Sequence, residues 1–330
     1  MDLLPAISDN GQEAYAGPGT EQTEQLLSNS FIEANTLETN LAEISERHLI
    51  PVFVKENVPT ISQADFITHT LELVEEVSGH KGTNLQIKVS HPIKGRVFEA
   101  RHKRADELQE WEKTLYYERM AFTAQVPEYR EIVNGHELTL TFGGVKAYNL
   151  DNLYSNSHSI QRFKFFMGYT VRACTNLCIS ADGFIGDIKV RSITELRKSM
   201  YELLKRYDMV KHPINLQRWN EYELSGREVT QILGRARVYQ HLPYETRKDL
   251  PELLLSDSQL NQVARGYVHN QDFHCENHGG ISLWNFYNLF TEATKSSYID
   301  TFLDRNVNCS NFVQGLSHSL ETGHRNWFLN

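Results

Sequence analysis

The feature that most constrains the fold is the Asn134-Gly135 pair, which separates two stretches of strand-like sequence, residues 131–133 and 136–142. Both residues of such a pair accept the positive φ angles of a type I′ turn, which connects antiparallel strands. The sequence therefore predicts a β-hairpin here. Further strand patterns cover residues 115–126, 163–173, 175–180 and 184–190, with Asp182-Gly183 as a turn between the last two. Together these patterns predict an antiparallel, meander-like sheet.

The periodicity changes after Ser192, from alternation to the spacing of three and four residues that is typical of helices. Ser192 and Glu195 form a capping-box pattern at the start of one helix, and Ser225 and Glu228 repeat it at the start of another. Further helical patterns cover residues 257–268, 281–295 and 309–320. We therefore expect an α+β fold with a flexible N-terminal arm, an antiparallel sheet in the middle and a helical C-terminal third.

Three regions are expected along the chain. Residues 1–48 are predicted to form a flexible acidic arm, residues 49–210 a sheet-rich α+β domain, and residues 211–330 a helical region packed on it. Within the first 30 residues, Ser, Thr, Asn, Gln and Glu dominate and the apolar residues follow no period. Ordered structure is expected to begin at the strand-like run of residues 50–54.

The charges are distributed unevenly along the chain. Residues 1–80 contain 14 acidic and two basic side chains (−12), residues 81–220 contain 22 basic and 15 acidic (+7), and residues 221–330 contain nine and 13 (−4). A basic middle region in a chain of net charge −9 suggests an anionic partner such as nucleic acid. The alternative is that these charges lie on solvated faces and share no partner.

Composition indicates a cytoplasmic protein without a membrane partner. No run of about 18 apolar residues is present, and the first ten residues contain two Asp and no Lys or Arg, unlike a secretory signal. Four scattered cysteines are too few for a disulfide framework in 330 residues, so reduced thiols are expected. The oligomeric state cannot be predicted from these features.

Enzymatic and metal-binding signatures are not found. The chain contains no phosphate-binding glycine loop, no dinucleotide fingerprint, no H-E-x-x-H and no G-x-S-x-G, so we expect no cofactor and assign no catalytic residue. Cys174 and Cys178, if they lie on one strand, are about 13 Å apart and cannot share a zinc ion. A loop cluster could ligate a metal but matches no known spacing: His269, His274, Cys275 and His278.

The basic middle region interleaves cations with aromatic residues, among them Tyr116, Tyr117, Phe163, Phe165, Phe166 and Tyr169. A surface with this composition suits single-stranded nucleic acid, because cations track the phosphates and aromatic rings stack on bases. The residues predicted to bind nucleic acid are Lys94, Arg96, Arg101, Lys103, Arg104, Arg119, Arg172, Lys189 and Arg191. For the segment Arg162-Phe163-Lys164-Phe165 the alternation favours a simpler interpretation, with a polar outer face over an aromatic core.

A polar constellation is the second candidate site. Trp284 and Asn288 share a helix face with Tyr287 and Thr291, while Arg172 and Asn176 alternate along a predicted strand. Arg172 could clamp an anion or pair with a carboxylate. The constellation comprises Arg172, Asn176, Trp284, Asn288 and Glu292. A core stripe with one hydrogen-bonded Asn is the alternative to a ligand site.

Several segments resemble a family of uncharacterised proteins carried by conjugative elements of anaerobic bacteria. They are residues 116–122, 143–149, 283–288, 295–300 and 327–330. The chain is also more distantly similar to a broad phage- and plasmid-encoded family, whose Arg-x-x-Cys-x-Asn pattern would match Arg172, Cys174 and Asn176 with one spacer residue missing. The resemblance implies a mobile-element setting and brings no established activity.

Three hypotheses follow from the sequence. The first is a mobile-element protein that handles nucleic acid without catalysis, as a single-strand binding or annealing factor. The second is an interaction protein that inhibits a host defence system, with the acidic arm as an anion mimic. The third is an enzyme with an unrecognised site built from Arg172, Asn176, Asn288 and Glu292.

Overall fold

The computed structural model describes residues 30–47, 60–151, 160–275 and 279–330. The strands are β1 (Leu37–Thr39), β2 (Thr83–Val89), β3 (Pro92–Arg96), β4 (Lys113–Tyr117), β5 (Arg119–Val133), β6 (His136–Ala147), β7 (Gln161–Val171), β8 (Leu177–Cys178), β9 (Phe184–Val190), β10 (Glu223–Leu224) and β11 (Ile281–Ser282). The helices are α1 (Leu41–Arg47), α2 (Gln63–Ser78), α3 (Ile193–Arg206), α4 (Lys211–Arg218), α5 (Gly226–Tyr239), α6 (Tyr244–Arg247), α7 (Asp257–His269), α8 (Leu283–Thr294) and α9 (Phe302–Thr322).

The main sheet is antiparallel and lies in the middle of the chain, as predicted. Its strand order is β1-β2-β5-β6-β7-β8, with β9 also paired to β7. The predicted hairpin joins β5 and β6, and its two turn residues have the expected positive φ angles, 52° at Asn134 and 83° at Gly135. The α+β architecture, with helices following the sheet, is therefore confirmed.

The predicted turn at Asp182-Gly183 does not join two paired strands. β8 pairs with Tyr169 and Thr170 near the end of β7, and β9 pairs with Gln161–Phe166 near its beginning. Residues 181–183 form a short 3₁₀ turn that carries the chain along the same edge of β7. Gly183 is required there because a Cβ would lie 2.2 Å from the carbonyl oxygen of Met167.

The long strand predicted over residues 115–126 is interrupted at Glu118. β4 ends before it and pairs with β3 in a separate two-stranded sheet, while β5 begins after it and enters the main sheet. Residues 92–117 thus form a separate hairpin beside the main sheet.

The predicted helices α3 and α5 begin at their capping residues. The Ser192 side chain accepts a hydrogen bond from the Glu195 amide, and Ser225 forms a reciprocal capping box with Glu228. The sequence did not predict α4, which contains Pro213 within its first turn, a position that tolerates proline. α9 begins at Phe302 rather than at the predicted residue 309, and no side chain caps it.

Both faces of the main sheet are buried. On one face, Phe66 of α2 packs edge-on against Phe122 and Phe163, with ring centroids 5.3 and 5.0 Å apart. On the other face, Phe302 of α9 lies 5.8 Å from Phe31 and packs over small residues such as Ala121. Among the described helices, none combines the length and the apolar character needed to cross a membrane.

The packed part of the chain begins before the boundary predicted at residue 49. Phe31 and Ile32 are 3% and 1% exposed, and β1 pairs with β2 in the main sheet. The first part of the predicted arm, residues 1–29, and the strand-like run at residues 50–54 lie outside the described residues.

Alanine at position 143 should destabilise the sheet. A Cβ there would lie 2.1 Å from the carbonyl oxygen of Phe122 on the neighbouring strand, which cannot move without breaking the β5–β6 pairing. We expect Gly143→Ala to lower the free energy of unfolding by about 2 kcal/mol or more in urea denaturation. Gly234→Ala is the matched control: its Cβ meets nothing within 4 Å on α5, and we expect about 0.5–1 kcal/mol of stabilisation. Equal effects at both positions would contradict the close approach.

His212 should make the fold sensitive to mild acid. The ring is buried, its Nδ1 lies 2.7 Å from the Tyr207 hydroxyl, and its Nε2 has no partner among the described residues. Burial lowers the pKa of His212 from 6.5 to about 4. The unfolded chain takes up a proton as the pH falls below 6.5, whereas the folded protein resists it until about pH 4. The free energy of unfolding therefore falls over this interval, by up to about 3 kcal/mol.

The measurement compares urea denaturation at pH 7 and pH 4.5 for the wild type and His212→Asn. The asparagine does not titrate, so the variant should lose roughly 2 kcal/mol less than the wild type over the same pH change. The same loss in both proteins would show that other groups carry the acid sensitivity.

Candidate nucleic-acid interface

Five of the predicted nucleic-acid-binding cations lie on one unit, residues 92–117, here called the basic hairpin. β3 and β4 pair so that Lys94 faces Leu115 and Arg96 faces Lys113. Residues directly opposite each other in an antiparallel pair project from the same side. One face of the basic hairpin therefore carries three cations and one exposed leucine.

The connection between β3 and β4 is held by two of the predicted cations. Arg96 donates a hydrogen bond from Nη1 to the carbonyl oxygen of Lys103, and Lys103 forms an ion pair with the buried Glu112. The hydrogen bonds from Lys103 and from the Gln109 amide keep the pKa of Glu112 below its usual value. Arg96 and Lys103 therefore stabilise the hairpin itself.

The remaining cations of the basic hairpin are exposed. Lys94 forms no ion pair with any described residue, and Arg104 lies 3.5 Å from Asp106 with both side chains more than two-thirds exposed. Arg101 is also exposed and donates to the His102 ring at 3.0 Å. Beside them Trp111 is 71% exposed, with Lys103 Nζ 6.0 Å from the ring centroid. The basic hairpin thus presents cations together with an accessible aromatic ring.

The aromatic residues of the main sheet, and Tyr117 at the end of β4, are not available for stacking. Tyr117, Phe163, Phe165, Phe166 and Tyr169 are at most 5% exposed. Arg162 and Lys164 lie on the opposite side of β7 from Phe163 and Phe165, as the alternation predicted. The expectation that the sheet presents aromatic rings is therefore wrong for these residues, because they form the core.

A row of cations crosses one end of the main sheet. Arg119 lies opposite Ala147, and Arg162 lies opposite Lys189. Because Lys146 pairs with Phe163, the next pair in the register is Ala147 with Arg162. Four neighbouring strands therefore carry one row of residues about 14 Å wide, which consists of Arg119, Ala147, Arg162 and Lys189. The cations are compensated: Arg119 lies 3.7 Å from Asp300, and Lys189 lies 2.8 Å from Asp187.

Arg172 and Arg191 lie apart from these groups. Arg172 follows the far end of β7, ten residues or about 33 Å from Arg162, and pairs with Glu137 at 2.8 Å. Arg191 is exposed between β9 and α3 and forms no ion pair with a described residue; its backbone amide donates to Glu195. The nine predicted cations therefore do not form one continuous surface.

The polar constellation is only partly assembled. Residues 172–176 form a turn rather than a strand, with the Thr175 amide donating to the Val171 carbonyl oxygen. Asn176 donates through Nδ2 to the carbonyl oxygen of Asn288 at 3.1 Å, and Asn288 donates to that of Trp284 at 3.0 Å. All three are at most 1% exposed, so they connect α8 to the sheet within the core.

Arg172 and Glu292 do not join this group. Arg172 is on the surface, and Glu292 accepts a hydrogen bond from Asn270 Nδ2 at 2.8 Å. Because Cys174 lies in the turn, the strand spacing assumed for Cys174 and Cys178 does not apply. In the loop that carries His269, His274 and Cys275, the fourth candidate ligand, His278, lies outside the described residues, and no three His, Cys, Asp or Glu side chains of the described part converge on a common point.

The sequence reasoning missed a buried ion pair at the end of β6. Lys146 Nζ lies 2.6 Å from Asp151 Oδ2, both side chains are fully buried, and Oδ1 of Asp151 accepts the Arg162 amide at 2.7 Å. Burial lowers the pKa of Lys146 to about 8 and raises that of Asp151. The sequence feature that could have revealed this ion pair is the alternation of β6, which places Lys146 on the same side of the strand as the buried Phe142.

Removing one partner of this pair should cost more than removing both. Asp151→Asn keeps an acceptor for the Arg162 amide but leaves the lysine charge buried without a counter-charge, so we expect a loss of about 3–5 kcal/mol in urea denaturation at pH 7. Lys146→Met combined with Asp151→Leu removes both charges and should cost less than Asp151→Asn alone. A loss below about 1 kcal/mol for Asp151→Asn would show that the charge is solvated.

Comparisons with known proteins give one match. A family model described as "Domain of unknown function, B. Theta Gene description (DUF3871)" matches residues 18–329. No curated protein and no solved structure matches the chain. Because the family model covers most of its length, the chain belongs to the DUF3871 family of unknown function.

Proposed function

We propose that this protein binds single-stranded nucleic acid without catalysis, through the basic hairpin. The observation that carries the proposal is Trp111, which is 71% exposed among the cations of that unit. A large aromatic ring held in water gains contact area when a base stacks on it, and neighbouring cations attract the phosphates. Lys94 and Arg104 are placed to make such contacts.

The internal hydrogen bonds of the basic hairpin support the same function. The Val97 amide donates to the Glu112 carbonyl oxygen at 2.9 Å, and Lys103 holds the Glu112 side chain. The ring and the cations are thus presented by a braced unit that loses little conformational entropy when it binds. No rearrangement of the main sheet is needed.

The resemblance to proteins of conjugative elements supports a mobile-element setting, in which single strands arise during transfer and repair. The acidic N-terminal segment has a regulatory part in this proposal. Residues 1–29 contain five acidic and no basic side chains, so they would compete with the strand for the same cations.

Reversing the charge of two exposed hairpin residues should weaken binding and reduce its salt dependence. Each phosphate contact contributes about −0.7 to the slope of log affinity against log salt for single strands, so Lys94→Glu with Arg104→Glu should flatten the slope by about 1.4. Fluorescence anisotropy with a labelled oligonucleotide, titrated between low and moderate salt, measures both quantities. Deleting residues 1–29 should tighten binding.

The matched control is Lys211→Glu with Arg227→Glu, which makes the same charge change at the first turns of α4 and α5. Acidic residues are favourable there, so the control should remain folded and bind like the wild type. Equal weakening by both pairs would indicate a response to net charge alone. No binding of single-stranded DNA or RNA at low salt, with or without residues 1–29, would contradict the proposal and favour an interaction protein.

A further inference from the structure

A cavity of about 290 Å³ lies where the basic hairpin meets the main sheet. It is here called the Tyr298 pocket, and its walls include Asn35, His91, Ile93, Arg119, Tyr298 and Ile299. Its volume is close to the lower end of the range of roughly 300–1,000 Å³ for ligand pockets, so it suits one small ring system.

Tyr298 supplies an accessible ring on a fixed backbone. It is 72% exposed, yet its carbonyl oxygen accepts hydrogen bonds from the amides of Thr301 and Phe302, both at 3.0 Å. These hydrogen bonds to the first turn of α9 fix the backbone at Tyr298, while the tyrosine ring remains exposed to solvent. Such a ring can stack on a ligand at a small entropic cost.

Arg119 supplies hydrogen-bond donors that the protein does not use fully. Its Nε is buried and lies 3.7 Å from Asp300 without forming a hydrogen bond, and its Nη2 lies 3.4 Å from Glu118. A guanidinium has five N–H donors and this side chain is one-third exposed, so N–H donors of the terminal Nη atoms remain for a ligand. The two carboxylates disfavour a phosphate inside the pocket and favour a neutral ring with a polar edge.

The remaining walls have the same mixed character. Ile93 and Ile299 provide apolar surface, and the Asn35 Oδ1 lies 2.9 Å from the His91 Nε2. Ile93 immediately precedes Lys94 on β3, and successive side chains of a strand project to opposite faces, so the pocket lies on the face of the basic hairpin opposite Lys94. A nucleic-acid strand that passes around the edge of β3 can contact Lys94 with a phosphate and place a neighbouring base in the pocket.

We infer that the Tyr298 pocket receives one unpaired nucleobase of the bound strand, stacked on the Tyr298 ring and hydrogen-bonded at its edge by Arg119. This inference rests on the proposed function, which requires backbone contacts and a base stacked on Trp111; the pocket adds a second base contact. The two are separated by Tyr298→Ala, which removes the contact in the pocket and leaves the basic hairpin unchanged.

The experiment measures the affinity of the full chain for a thymine oligonucleotide and for an abasic oligonucleotide of the same length, by fluorescence anisotropy at fixed salt. The wild type should bind the thymine strand more tightly. Tyr298→Ala should weaken binding of the thymine strand roughly ten- to hundredfold, as expected for the loss of one base–aromatic stack, and leave the abasic strand unaffected. Tyr298→Phe should keep most of the affinity.

Tyr244→Ala is the matched control, because Tyr244 is also 69% exposed but lies on α6, outside the pocket. It should bind both strands like the wild type. A Tyr298→Ala variant with unchanged affinity for the thymine strand would overturn the inference about the pocket and leave binding by the basic hairpin intact. Equal affinity of the wild type for both strands would overturn both the pocket and the stacking on Trp111, and leave backbone contacts alone. Failure of both strands to bind would overturn the proposed function and this inference with it.

Discussion

The main sheet is buried on both faces, and the placement of the other elements depends on this. α2 and α3 cover one face, while Phe31, Ile32 and the first turns of α9 cover the other. A charged side chain on a strand must then find its partner inside the protein, since burying it unpaired is costly. Lys146 does so with Asp151, and Lys164 with Asp304 at the start of α9.

The same constraint changes the meaning of the charge asymmetry. The basic middle region has a net charge of +7 in sequence, but several of its cations are matched by carboxylates from the covering elements. Asp300, for example, reaches Arg119 from the connection between α8 and α9. Exposed cations without a close carboxylate in the described part of the chain, such as Lys94, therefore lie beside the sheet on the basic hairpin, where Trp111 is also exposed.

Features that arise from neighbouring residues could be predicted from the sequence. The β5–β6 turn follows from Asn134-Gly135, and α3 and α5 follow from their capping residues, because each depends on contacts within a few positions. The pairing of both β8 and β9 with β7 could not be predicted, since it depends on register over long separations. In the candidate site, residue types indicated cations and rings, but whether a ring is core or surface is decided by tertiary packing.

The contact between Phe31 and Phe302 joins residues that are 271 positions apart, and the amides of Glu33 and Ala34 donate to the carbonyl oxygen of Lys295. The segment of residues 31–34 therefore has no surface to pack against until α8 and the start of α9 have left the ribosome. During synthesis the corresponding face of the sheet stays open to water from the completion of β9 at Val190 until α9 begins at Phe302. Apolar strands that are exposed at that stage are prone to aggregation, so rapid completion of the C-terminal helices shortens the period of risk.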